Sequence, residues 1–201
     1  MNIRKAKLAD IDGIEKIYDR VHDDEEKGLC TIGWIRNVYP TRSSALSALN
    51  RNDLFVVEED DKVVAAAVVN KTQVDVYKNV NWKHEAKDSE VMVLHCLVSD
   101  PNESGKGYGL SLIKFYENFA KENNCLELRI DTNARNLRAR SLYKKLGYEE
   151  IGIVKCVFNG IPDVQLVCLE KVFRLIIFKK FKTPLEQFAQ VVFLLVIIRH
   201  S

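Results

Sequence analysis

The chain reads as an α/β fold on a mixed sheet, and three features of the sequence carry that expectation. Apolar residues fall into short strand-like runs and into stretches with three- and four-residue spacing. The runs follow the order β-α-α-β-β-β-α-β-α-β-β, which is neither a pure hairpin series nor a strict strand–helix alternation. Polar turn segments, Glu58 to Lys62 and Asn159 to Asp163, separate two of the strand pairs.

Taken in order, Ile3 to Ala6 reads as a first strand, and Asp10 is placed to cap the helix that follows. Ile11, Ile14, Ile17, Tyr18 and Val21 give that helix its apolar stripe, and the acidic run Asp23 to Glu26 interrupts the pattern. A second helix is expected near Thr41, carrying Ala45, Leu46 and Leu49. Leu54–Val57 and Val63–Val69 flank a polar turn and predict a buried antiparallel hairpin. The stretch from Lys71 to Ser89 is polar, dotted with aromatics, and carries no periodicity that assigns an element. Val91 to Val98 is a strand that must stop at Ser99-Asp100-Pro101, because proline cannot continue a central ladder. Leu112, Ile113, Tyr116, Phe119 and Ala120 mark a helix from Leu110 to Asn123. Leu126 to Ile130 is the next strand. Leu137 to Leu146 forms a helix with Ala139, Leu142, Tyr143 and Leu146 on one face, and Gly147 sits at its left-handed cap. Ile151–Phe158 and Val164–Leu169 close the order.

Composition narrows the function. Thirty basic against 28 acidic side chains leave a net charge of +2, so the global field of a nucleic-acid binder is absent and any anion site must be local. Five cysteines, an odd number with no CxxC pair, read as reduced thiols in a cytoplasmic protein and suggest no metal site. The N-terminus lacks the apolar core of a signal peptide.

The informative segment is Ser104-Gly105-Lys106-Gly107-Tyr108-Gly109, between a strand that stops at Pro101 and a helix that starts near Leu110. Glycines at every second position let the backbone curl and present successive N–H groups unobstructed. Those amides, with the positive end of a helix dipole, suit a pyrophosphate, and Lys106 would add a full charge. Glycine-rich loops also mark plain turns. The string lacks the GxxxxGK[ST] of a Walker-type loop, and its last glycine interval is one residue short of the dinucleotide fingerprint. A second segment, Asn136 to Tyr148, follows the strand Leu126–Ile130. Asn136 opens a helix there, and Tyr143 lies two turns further along nearly the same face.

These two segments, Val98-Ser99-Asp100-Pro101 with Ser104–Gly109 and Asn136…Leu142-Tyr143…Gly147-Tyr148, resemble the two signature motifs of the GCN5-related N-acetyltransferase (GNAT) family. The resemblance covers about residues 1–172 and leaves 173–201 as a basic, apolar extension. It implies the acyl-CoA N-acyltransferase fold, a mixed and mostly antiparallel central sheet flanked by helices. It also implies acetyl-CoA as cosubstrate, a small-molecule primary amine as acceptor and no metal, and it leaves a homodimer open. Ser104, Gly105, Lys106, Gly107, Tyr108 and Gly109 match the family's pyrophosphate loop, although Ser104 replaces its usual Arg or Gln. Leu97, Val98 and Ser99 would pair with the pantetheine arm and offer an N–H to the thioester carbonyl. Asn136 would bond the pantetheine, and Tyr143 matches the tyrosine beside the sulfur.

An alkyl ammonium titrates near 10.4, so a group must take its proton, and a second should protonate the departing thiolate. Tyr143 is the candidate acid, with a structural place on an amphipathic helix as the plain alternative. His95 and Asp131 are candidate bases, with Glu90 and Glu85 as further options and a water chain also open. Asp23 to Glu26 would form an acidic rim for a cationic amine, or only a solvated face. Trp34, Tyr39 and Trp82 would floor the acceptor pocket, or fill core. A non-catalytic acyl-CoA-binding module and a nucleotide-binding regulatory domain are the rival readings. In the extension, the apolar run Phe188–Ile198 falls short of the ~20 residues that span a bilayer, so no transmembrane anchor is expected.

Overall fold

A computed structural model describes residues 1–173. The segment from 174 onward, which holds most of the basic, apolar extension, lies outside the described residues. Seven strands form one sheet: β1 (Asn2–Lys5), β2 (Leu54–Glu59), β3 (Lys62–Asn70), β4 (Val91–Ser99), β5 (Glu127–Asn133), β6 (Glu149–Phe158) and β7 (Ile161–Val172). Their spatial order is β1-β2-β3-β4-β5-β7-β6, and every neighbouring pair is antiparallel except β4 and β5. Four helices flank it: α1 (Ile11–Glu26), α2 (Arg42–Asn50), α3 (Tyr108–Glu122) and α4 (Leu137–Lys145). The mixed, mostly antiparallel sheet flanked by helices is therefore present.

The central strands are apolar at nearly every position because both faces are covered. Val56, Ala66 and Val98 pack under α1 and α2, against Ile11, Ile14, Ile17 and Ala45. Phe55, Ala65, Ala67 and Leu94 face the other way, toward Leu112, Ile113 and Tyr116 of α3 and Tyr143 of α4. A third cluster explains the aperiodic stretch from Lys71 to Ser89. It forms short 3-10 turns (Asp75–Asn79 among them) and drops Tyr77 onto Val91, Val93, Leu166 and Cys168. Tyr77 is fixed by tertiary contacts, so no local pattern announced it.

The hairpin between β2 and β3 turns on Asp60 and Asp61, both at positive φ (50° and 59°), as a two-residue turn matched to strand twist requires. Gly147 is left-handed (φ 85°), and Tyr148 N–H reaches the Tyr143 carbonyl at 3.0 Å to close α4. Thr41 caps α2, accepting from Ser44 N–H at 3.3 Å. Three expectations are corrected. Asp10 does not cap α1 with its side chain; its carboxylate instead takes both Nη groups of Arg4 (2.7 and 2.9 Å) and the Lys7 N–H. α1 runs through Asp23–Glu26 rather than stopping, because these acids lie on or near its solvent side, and Arg36 pairs with Asp23 and Glu26. α3 begins at Tyr108 rather than Leu110.

One irregularity positions the site. β4 and β5 pair only from Val91↔Glu127 to Leu94↔Ile130, and beyond that point the strands separate. In the closed half, the Tyr116 hydroxyl lies 2.7 Å from the Met92 carbonyl and 3.1 Å from that of Arg129, at the seam. Just past the point of separation β4 bulges against β3: Val68 opposes His95 while Ala66 opposes Val98, and Cys96 takes φ 49°. The sheet is thus a wedge whose mouth exposes the edge of β4 from His95 onward.

Candidate active site

The mouth of the wedge opens into a cavity of about 1190 Å³. Its wall joins the end of β4 (Leu97, Val98, Ser99), the loop before α3 (Ser104, Gly105, Gly107, Tyr108, Gly109), the end of β5 (Asp131) and α4 (Asn136, Tyr143). The two motifs are separate in sequence and adjacent here, because β4–loop–α3 and β5–α4 are the two sides of one parallel pair.

Gly105 and Gly107 have φ of 88° and 83°, a region open to glycine and costly to other residues, and a Cβ on either would meet nothing within 4 Å. The loop therefore curls in open space and is not packed into protein. The N–H groups of Gly105 through Leu110 have no hydrogen-bond partner among the described residues; the next amide, Ser111, reaches the Gly107 carbonyl at 3.0 Å. Six consecutive free donors at the start of a fifteen-residue helix make an anion cradle. Lys106 does not join it: its Nζ pairs with Glu103 at 2.5 Å, and the side chain is not part of the cavity wall. Arg138, in the first turn of α4, does line the wall and donates from Nη2 to Ser104 Oγ at 3.2 Å.

Asn136 caps α4: its Oδ1 accepts from Ala139 N–H and its Nδ2 donates to Thr132 Oγ1, both at 3.2 Å. The amide sits on the cavity wall while doing so. Tyr143 is buried, packs edge-on against Tyr148 at 5.9 Å, and its hydroxyl has no hydrogen-bond partner among the described residues. Burial, with the Asp131 carboxylate as a lesser cause, raises its pKa, so the phenol stays protonated and is a donor.

The two candidate bases differ in environment. Asp131 lies past the end of the β4–β5 pairing, and burial pushes its pKa up to about 6. Tyr77 opposes part of that rise by donating its hydroxyl to Oδ2 at 2.7 Å. His95 is held on the other side of the mouth. Asn70 Nδ2 donates to Asp53 (2.8 Å), which turns Asn70 Oδ1 toward His95 Nε2 at 3.2 Å; the Thr72 carbonyl lies 3.1 Å from the same nitrogen. With two acceptors facing it, Nε2 carries the proton. Burial lowers the ring's pKa to about 4, so His95 is a neutral, fixed residue at physiological pH. Glu85 and Glu90 are not on the cavity wall.

At the acceptor end Trp34 stands edge-on to Tyr18 (6.1 Å) and Tyr39 (6.2 Å), and all three line the cavity. Trp82 does not; it packs under the Arg129 guanidinium at 4.0 Å and against Tyr77. Of the acidic run only Asp24 reaches the wall, since Asp23 and Glu26 serve Arg36, and Glu25 accepts from Ile32 N–H and Arg135. All five cysteines are free. Among the described residues no cluster of His, Cys, Asp or Glu could hold a metal, and no helix is long and apolar enough to cross a membrane.

Comparison with known proteins gives the class to which this fold and cavity belong. The profile of the Acetyltransferase (GNAT) family matches residues 15–148, and the chain belongs to that family as an N-acetyltransferase. Streptothricin acetyltransferase from Escherichia coli is 27% identical over 152 residues, covering 76% of this chain and 78% of that one. N-acetyltransferase MJ1207 of Methanocaldococcus jannaschii is 32% identical over 75 residues; the match covers 37% of this chain and spans only 33% of that relative. Among solved structures, yncA from Salmonella typhimurium, with its cofactor acetyl-CoA, superposes with a TM-score of 0.62 at 16% identity, over 92% of this chain and 97% of that one.

Proposed function

We propose that this N-acetyltransferase binds acetyl-CoA along the open edge of β4 and passes the acetyl group to a primary amine of a small molecule. The observation that carries the reading is the row of unpaired amides from Gly105 to Leu110 at the mouth of the β4–β5 wedge. These donors fit a pyrophosphate, and the β4 edge past Leu94, facing away from β3, suits an extended arm bearing amides. A fold neighbour solved with acetyl-CoA, and a relative named for streptothricin, are consistent with it.

When bound, the thioester supplies an acyl carbonyl open to direct attack by an amine. The chain's own residues do the rest. Asp131, ionised above about pH 6, accepts the proton an incoming ammonium must lose, directly or through one water. Tyr77 holds that carboxylate in place. Tyr143 offers a protonated phenol at the sulfur end. Backbone N–H groups on the opened edge of β4 are donors for the developing oxyanion, and the cavity holds amine and carbonyl together. Trp34, Tyr39 and Asp24 give the acceptor end an aromatic wall with one carboxylate, which suits a cationic amine.

Free-thiol release measured across a panel of amines with acetyl-CoA tests the reading. Turnover with at least one small primary amine is expected. Coenzyme binding without thiol release from any amine would leave a coenzyme-binding module instead.

A further inference from the structure

The cation built into the glycine loop does not serve the cradle, while another element sends one there. Lys106 is neutralised by Glu103 and is not part of the cavity wall. Arg138 is on the wall, meets no carboxylate among the described residues, and has the neutral Ser104 hydroxyl as its hydrogen-bond partner. Ser141 and Lys145 lie three and seven residues further along α4 and also line the cavity, so one face of that helix is turned to it. Most other arginines of the described chain have a carboxylate partner, among them Arg4, Arg36, Arg42, Arg129 and Arg140. A guanidinium left without one beside six unpaired amides is arranged for an anion, and its planar fork matches a phosphate oxygen pair.

We propose that Arg138 is a coenzyme-binding residue that pairs with the pyrophosphate held by Gly105–Leu110, so that the carrier bridges the loop before α3 and the first turn of α4. This rests on the coenzyme reading above and extends it to a residue within the second segment to which the resemblance assigned no role. Its Ser104 contact pre-places the guanidinium against the loop.

The test is isothermal titration of the full chain with coenzyme A and with dephospho-coenzyme A, which lacks the ribose 3′-phosphate. Arg138→Gln should weaken both ligands by a similar factor, roughly 10- to 100-fold, the scale of a lost charge-assisted hydrogen bond. Arg138→Lys should recover part of that loss, and Lys144→Gln, an equal charge change on an exposed position away from the cavity wall, should stay within about twofold. Circular dichroism on each variant shows that the fold is retained. Unchanged affinity in Arg138→Gln overturns the proposal. So does a loss confined to coenzyme A, which would place Arg138 on the 3′-phosphate. A Ser104→Ala loss equal to that of Arg138→Gln also overturns it, because Arg138 would then only brace the loop. A wild-type chain that binds neither ligand overturns the coenzyme reading itself, a result distinct from the other three.

Discussion

A carboxyl group that titrates near 6 is still ionised at neutral pH and is a better proton acceptor than one at 4, which is what the surroundings of Asp131 provide. In the proposed mechanism the active form is the carboxylate, so kcat/KM should rise with pH through an apparent pKa of about 6. Asp131→Asn should remove that limb and cost roughly 10²- to 10⁴-fold in kcat, as a pH–rate series would show. Tyr77→Phe removes the hydrogen bond that favours the ionised form, so the limb should move to higher pH, whereas His95→Gln should leave it in place. The same burial has a stability consequence. The folded pKa lies above the unfolded value, so folding binds a proton between pH 4 and 6, and the ionised carboxylate weighs against the fold above that window. Asp131→Asn should therefore raise the melting temperature at pH 7.5, by the equivalent of about 1–3 kcal/mol, and lose that gain at pH 4. Tyr143→Phe keeps the packing against Tyr148 and removes the free hydroxyl; a 10- to 100-fold fall in kcat with coenzyme KM within a few-fold is expected from steady-state kinetics. None of this separation between His95 and Asp131 was legible in the sequence. Both are polar residues on apolar strands, and what separates them is burial, which favours the neutral form of each and so lifts the carboxyl while lowering the imidazole; that burial is set by elements from elsewhere in the chain.

At the scale of elements, the glycine loop and α4 behave differently toward substitution. Gly105→Ala and Gly107→Ala meet no steric wall, so their cost is the left-handed backbone, about 1–2 kcal/mol each. That strain is relieved if the loop rotates its amides away, and a coenzyme KM raised at least tenfold with little change in melting temperature is the expected signature. Gly147→Ala should instead lower stability by about 1 kcal/mol with KM unchanged, because its left-handed turn closes α4 and binds nothing. Gly105 and Gly107 of the loop and the Gly147 cap were readable because a left-handed backbone restricts the residue type locally. The helix through Asp23–Glu26 was misread for the converse reason: acids on an exposed helical face break an apolar pattern without breaking the helix.

At the scale of the molecule, the cavity exists because one parallel strand pair separates after four registered positions. Among the described residues core clusters lie on both faces of the sheet, and Phe173 N–H pairs with the Leu126 carbonyl at 2.9 Å. A chain ending after Phe173 is accordingly expected to keep coenzyme binding within a few-fold by titration; its loss would assign residues 174–201 a part in the site.

The sequence by itself determined the α/β class, the strand and helix order and the two segments that meet at the cavity, since these follow from periodicity and from glycine-restricted backbone. Tertiary structure alone decided that β4 and β5 part after Leu94, that Arg138 and not Lys106 lines the cavity, and that burial lifts the Asp131 carboxyl to about 6 while it lowers the His95 ring to about 4. Each of those outcomes depends on which distant groups surround a residue, and a proton's affinity or a side chain's direction is set by those neighbours rather than by the chain on either side.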